Sequence, residues 1–162
     1  MRKRRKAREL ALQRLYAHEI SGNPLGRILD ELSDNFKGDP DIEAFAKALL
    51  RRAIENKIEL DQDIETLIKN WDFSRIALVD RLILRLANCE LLYFGEIPPK
   101  VTINEAIELA KDFSTAKSGR FVNGILDSLL KKLRVENRLA KTGRGLVENA
   151  LLNEDSDEGT LS

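Results

Sequence analysis

The stretch IPPKVTINEAIELAKDFSTAKSGRFVNGILDSLLKKL, residues 97–133, decides the fold. It holds two runs of helical period parted by a short polar turn. In the first, Ile103, Ala106, Ile107, Leu109, Ala110 and Phe113 recur at the three- and four-residue spacing of one helix face. In the second, Phe121, Val122, Ile125, Leu126, Leu129, Leu130 and Leu133 do the same. Pro98-Pro99 breaks the chain ahead of the first run, and Ser114-Thr115-Ala116-Lys117 lies between the two. Thr102-Ile103-Asn104-Glu105 reads as a capping box: Thr102 would accept from the backbone N–H of Glu105, and Glu105 from that of Thr102.

Working outward, the helical period continues and strand alternation is almost absent. A first helix is expected from about Arg4 to Ile20, with Ala7, Ala11, Leu12, Leu15 and Tyr16 on one face, stopped by Ser21-Gly22-Asn23-Pro24. A second follows Pro24, a residue suited to a first helical turn, and carries Leu25, Ile28, Leu29 and Leu32. A long helical region spans Asp41 to about Asn70, and its apolar spacing shifts phase near Ile58, where a bend or break is expected. The segment from Ser74 to Phe94 is apolar on most sides and should be central. Its charges, Asp80, Arg81, Arg85 and Glu90, then need partners or solvent. From about Asn137 the period is lost and Gly, Ser and acid take over, so residues 137–162 read as an acidic tail without fixed structure.

The 162 residues suffice for one domain with a real core. With 43% hydrophobic and 33% charged residues, and few Gly and Pro, the composition favours helix. No apolar run is long enough to span a bilayer, and no apolar segment of signal-peptide length follows the basic start. The single cysteine, Cys89, can form no internal disulfide, which fits a reducing, cytoplasmic setting. Formal net charge is zero, yet the ends are opposed. The opening MRKRRKAR places Arg2, Lys3, Arg4, Arg5, Lys6 and Arg8 together with no acid, whereas residues 148–162 hold Glu148, Glu154, Asp155, Asp157 and Glu158 with no base.

Catalytic chemistry is sparse. The one histidine, His18, has nothing placing it against a nucleophile, and one Cys with one His cannot build a zinc site. There is no Gly-rich phosphate loop. No enzyme, cofactor or metal centre is therefore expected, and binding remains. Arg4 and Arg8 lie one helical turn apart and share a face, so the basic opening is either a phosphate-gripping arm or only a soluble end. Phe113 and Phe121 flank a turn with Lys117 and Arg120. On the residues alone their fit to the apolar stripe favours core packing over base stacking.

Three segments, in matching order and spacing over most of the chain, resemble the NusB family of bacterial transcription antitermination factors. They are RKARELALQRLYAHEISGN (5–23), WDFSRIALVDRLILRLANCELLY (71–93) and IPPKVTINEAIELAKDFSTAKSGRFVNGILD (97–127). The most specific matches are Ile103-Asn104-Glu105-Ala106, Ala110-Lys111 and Phe121-Val122-Asn123-Gly124.

The resemblance implies an all-α fold of about seven helices in two small subdomains. These would be a three-helix part over about 1–70 and a four-helix part over about 71–136, followed by the tail. It also implies binding, with the ribosomal protein NusE, to boxA RNA of ribosomal RNA transcripts, within a complex on RNA polymerase that resists Rho-dependent termination. Carried over residue by residue, Arg4, Arg5, Lys6 and Arg8 become phosphate contacts, and Tyr16, Phe113 and Phe121 aromatic contacts. Arg120 matches a usually basic position, and Lys117 lies on the same turn. Asp80 would face NusE, and Asn123-Gly124 would allow close helix packing. Some family members self-associate, so a homodimer is among the states implied. Two rivals share the fold: a protein-binding helical adaptor without RNA affinity, and the NusB-like domain attached to some ribosomal RNA methyltransferases. The second would be expected to continue into a catalytic domain with a Gly-rich turn, which the sequence to Ser162 does not contain.

Overall fold

A computed structural model describes residues 2–35, 38–68 and 73–146. Trp71 and residues 147–162 lie outside the described residues. Seven α-helices follow in order: α1 (Arg2–Ser21), α2 (Leu25–Asn35), α3 (Pro40–Glu55), α4 (Lys57–Glu65), α5 (Leu78–Tyr93), α6 (Pro99–Phe113) and α7 (Ala116–Val135). A single 3-10 turn, Phe73–Arg75, precedes α5.

Local chemistry explains the boundaries. Asp39 caps α3, its carboxylate accepting from the backbone N–H of Asp41 at 2.8 Å, with Pro40 as the first helical residue. The phase shift near Ile58 is a real break: the chain turns at Asn56, whose side-chain amide donates to the Arg52 carbonyl. Thr115 caps α7, accepting from the N–H of Ser118 at 3.1 Å. The expected capping box at Thr102 does not form. Pro98-Pro99 open α6 themselves, so Thr102 lies inside the helix, buried, and its hydroxyl donates to Glu90 at 3.3 Å.

The core is one continuous apolar cluster drawing on all seven helices. Helix α1 packs chiefly on α3 and also on α2 and α5. Helix α6 lies against α7 and α5. Helices α3 and α4 both pack on α5, and α4 also touches α3 and α7. Helix α5 is the central post. Its buried polar side chains each tie down a neighbour: Arg85 to Asp61 of α4 and Glu19 of α1, Asn88 to Asp63 of α4, Glu90 to Arg8 of α1, and Asp80 to Ser118 of α7. Buried charges persist only when paired in this way.

Two expectations are corrected by packing. A Cβ at Gly124 would meet nothing, because that residue and Asn123 are exposed. The close α6–α7 approach is at Gly119, whose Cβ would press on the Lys111 stem at 3.3 Å. The tail does not begin at Asn137 either. Residues 138–146 are held against the body. Arg138 grips Asp63 with two hydrogen bonds of 2.8 and 2.9 Å, and the buried Lys141 ammonium donates to the carbonyls of Glu90 and Phe94. Thr142 N–H donates to the Gly95 carbonyl at 3.0 Å. Gly145 sits so close to Gly95 that a Cβ there would collide with the Gly95 oxygen.

Candidate nucleic-acid interface

The first two turns of α1 project cations in three directions, because successive residues are about 100° apart on a helix. Arg4 and Arg8 share a face, as their spacing requires, and both guanidiniums lie over the ring of Phe45, at 4.7 and 5.5 Å. Phe45 in turn meets Phe94 edge-on at 5.5 Å. The two arginines then diverge. Arg4 is half exposed, with only a long 3.9 Å pairing to Glu96. Arg8 is 3% exposed and clamped on Glu90, Nη2 to Oε1 at 2.7 Å and Nε to Oε2 at 2.9 Å. The expectation that Arg8 grips phosphate is therefore corrected: its charge serves the interior. Glu90 among the buried positions of the central helix is the sequence signal for it, since a buried carboxylate calls for a buried cation.

Arg5 points the other way and forks onto Glu105 of α6, with Nε to Oε2 at 2.9 Å and Nη2 to Oε1 at 3.1 Å. This bond and the carboxylate's charge, with Glu108 and Asp112 adding to it, raise the Arg5 pKa further. Lys6 faces solvent, with a loose 3.9 Å contact to Glu9. Lys3 pairs with Asp39 at 2.7 Å. The exposed members of the arm are thus Lys3, Arg4, Arg5 and Lys6.

A second group lies where α6 passes into α7. The Ser118 hydroxyl is the hub: it donates to Asp80 at 2.9 Å and lies 2.8 Å from the Ser114 hydroxyl and 3.1 Å from that of Thr115. This knot fixes the first turn of α7, from which Lys117 and Arg120 project into solvent with no ion pair to any described residue. Phe113 is 38% exposed, and Phe121 is half-buried and packs on the core. The expectation that Asp80 meets a partner is corrected as well. Asp80 is buried and turned onto Ser118, so it positions the turn that bears the exposed cations. Tyr16, 43% exposed, lies on the same stripe of α1 as Arg5 by spacing. Among the described residues, Tyr16 and Phe113 are the exposed aromatic side chains.

The one histidine and the one cysteine are held within the fold. His18 Nδ1 sits 2.8 Å from the Asn23 carbonyl. Cys89 is buried, and burial pushes its thiol pKa well up, away from reactivity. Among the described residues no cluster of His, Cys, Asp and Glu is arranged to hold a metal ion, and no helix is long and apolar enough to cross a membrane.

An all-helical body with an exposed basic arm and two solvent-facing aromatics carries the charge and the stacking faces that single-stranded nucleic acid takes. A family model described as the NusB family matches residues 5–131. The chain belongs to the NusB family. It is 45% identical to the transcription antitermination protein NusB of Salinibacter ruber, over 91% of this chain and 92% of that one. The solved structure of T. maritima NusB is 40% identical and covers 79% of this chain and 90% of its own, with a TM-score of 0.72. A second solved structure, of the antitermination factors NusB and NusE in complex with double-stranded RNA, has a chain 30% identical to this one. It covers 82% of this chain and 98% of its own, at a TM-score of 0.72.

Proposed function

We propose that this chain is a transcription antitermination factor that binds the boxA element of ribosomal RNA transcripts together with NusE. In that role it helps RNA polymerase resist premature termination. It works by binding, without catalysis, in the cytoplasm. Arg4, Arg5 and Lys6 take backbone phosphates. Tyr16 and Phe113 stack bases, with the open edge of Phe121 beside them, and Lys117 and Arg120 hold the phosphates of the stacked nucleotides.

The single observation that carries this reading is the exposure of Tyr16 and Phe113. A half-exposed aromatic costs solubility and adds little to the core, but each stacked base is worth about 1–3 kcal/mol on such a platform. Arg5 must exchange Glu105 for phosphate, whereas Arg4 and Lys6 have only loose contacts to give up. The phosphate contacts supply affinity and salt dependence; stacking, base-edge contacts and NusE supply preference.

Fluorescence anisotropy tests this with a boxA RNA and a scrambled RNA, each with and without NusE. The expected result is selective binding strengthened by NusE and weakened by Tyr16→Ala or Phe113→Ala. Equal, feeble binding to both RNAs even with NusE would instead leave a protein-binding helical adaptor.

A further inference from the structure

A groove of about 820 Å³ opens between the start of α1, the flank of α3 and the α5–α6 connection. Its floor is apolar, with Ile42, Phe45, Phe94, Ile97 and Val101. Its rim carries Lys3, Arg4 and Arg144, with Asp41 and Glu96 set among them. We propose that this groove is the docking site for the chain's own C-terminal segment, residues 147–162, whose leucines fill the floor while its carboxylates meet the basic rim.

Three observations lead there. The first is delivery. The docked stretch 138–146 is pinned on the α5–α6 connection through Lys141 and Thr142, and Arg144, two residues from the last described position, already lines the groove. The sixteen residues that follow reach about 50 Å when extended, so every part of the rim is within range. The second is pattern. The segment reads VENALLNEDSDEGTLS: Val147, Ala150 and Leu151 fall at one-turn spacing, Leu152 follows, and Glu154, Asp155, Asp157 and Glu158 come next with no base among them. An apolar turn followed by acid matches an apolar floor beside a basic edge. The third is that the acidic partners of Lys3 and Arg4 lie at the surface, where ion pairs exchange readily: Asp39 and Asp41 stand 2.7 and 3.9 Å from Lys3, and Glu96 3.9 Å from Arg4.

The docked segment is a tethered phosphate mimic. A short tether holds its carboxylates at an effective concentration in the millimolar range. It occupies the half of the arm formed by Lys3 and Arg4 and leaves Arg5 and Lys6, and the separate pair Lys117 and Arg120 on α7, open. RNA must displace it from that half, which screens the arm against nonspecific polyanions. This consequence, though not the docking itself, rests on the RNA reading above.

Paramagnetic relaxation enhancement in the full chain tests the docking without RNA. A spin label goes on Ser156→Cys; buried Cys89 stays unlabelled. Expected is broadening concentrated on the amides of Ile42, Phe45, Ile97 and Val101. It should be relieved by Leu151→Ser with Leu152→Ser and reduced by Arg4→Glu, whose exposed side chain leaves the fold intact. Broadening that is absent, or spread evenly over the surface, overturns the proposal. So does broadening that appears only between a labelled chain and a separate isotope-labelled chain, which assigns the groove to a second copy. Failure of the boxA reading leaves this result untouched, because no RNA is present.

Discussion

Replacing Arg8 separates the interior of this protein from its RNA surface. The Arg8 guanidinium makes three hydrogen bonds to Glu90, at 2.7, 2.9 and 3.1 Å, and both side chains are almost fully buried. Arg8→Ala leaves the Glu90 carboxylate in the interior with only the weak 3.3 Å bond from Thr102. Removing one partner of a buried pair costs about 3–5 kcal/mol, a large share of the roughly 5–15 kcal/mol that holds a domain folded. For a chain of this size the midpoint of thermal unfolding should fall by roughly 6–20 °C. The double variant Arg8→Met with Glu90→Leu removes both charges and should recover most of the loss, because the desolvation penalty of the pair goes with them. Circular dichroism melts and urea titrations measure both. At a temperature where Arg8→Ala is fully folded, its boxA affinity and salt slope should match those of the wild type. Arg4→Ala should behave in the opposite way, losing no more than about 1 kcal/mol with its contact to Phe45 and showing a salt slope shallower by about 0.7. An Arg8→Ala protein of wild-type stability with a flattened salt slope would refute the assignment of Arg8 to the core.

Three further outcomes follow from the same contacts. Burial lowers the Lys141 pKa to about 8, even with Glu90 and Glu96 pulling it up, against 10.5 for an ordinary lysine. Between those values the unfolded chain holds more protons than the folded one, so stability rises as pH climbs from about 8 towards 10.5. Urea midpoints across that range should show the rise, and Lys141→Met should abolish it. Gly145→Ala would drive a Cβ into the Gly95 carbonyl and undock residues 138–146. The Thr142 amide, bonded to that same carbonyl, should lose its hydrogen-exchange protection while the amides of α5 keep theirs. Gly124→Ala fills open space on an exposed helix, so urea unfolding should show a gain of about 1 kcal/mol.

The helices were legible because burial follows period. The break near Ile58 and the central place of α5 follow from apolar spacing, the count of about seven helices from the family resemblance, and Asn56 ends α3 within two residues of the predicted break. What period does not carry is direction. Spacing puts Arg4 and Arg8 on one face, but nothing in it says that Phe45 and Glu90 wait beneath that face and take one arginine inside. Asp80 was legible as needing a partner, not as needing Ser118. The capping box failed for a local reason: two prolines start a helix earlier than a threonine can cap it. Residues 138–146 lack an apolar stripe and are placed instead by a few specific contacts, chiefly Arg138 on Asp63 and Lys141 on two carbonyls. Contacts between residues so far apart in the chain leave no mark on the neighbouring sequence.

The most direct test of the RNA surface is photocross-linking of a 4-thiouridine-substituted boxA RNA to the protein with NusE, with the linked residues mapped by mass spectrometry. The account predicts links to Tyr16 and to the stretch from Phe113 to Phe121, with weaker links to the first six residues. Links confined to α2 or α4, with none on Tyr16 or Phe113, would contradict it.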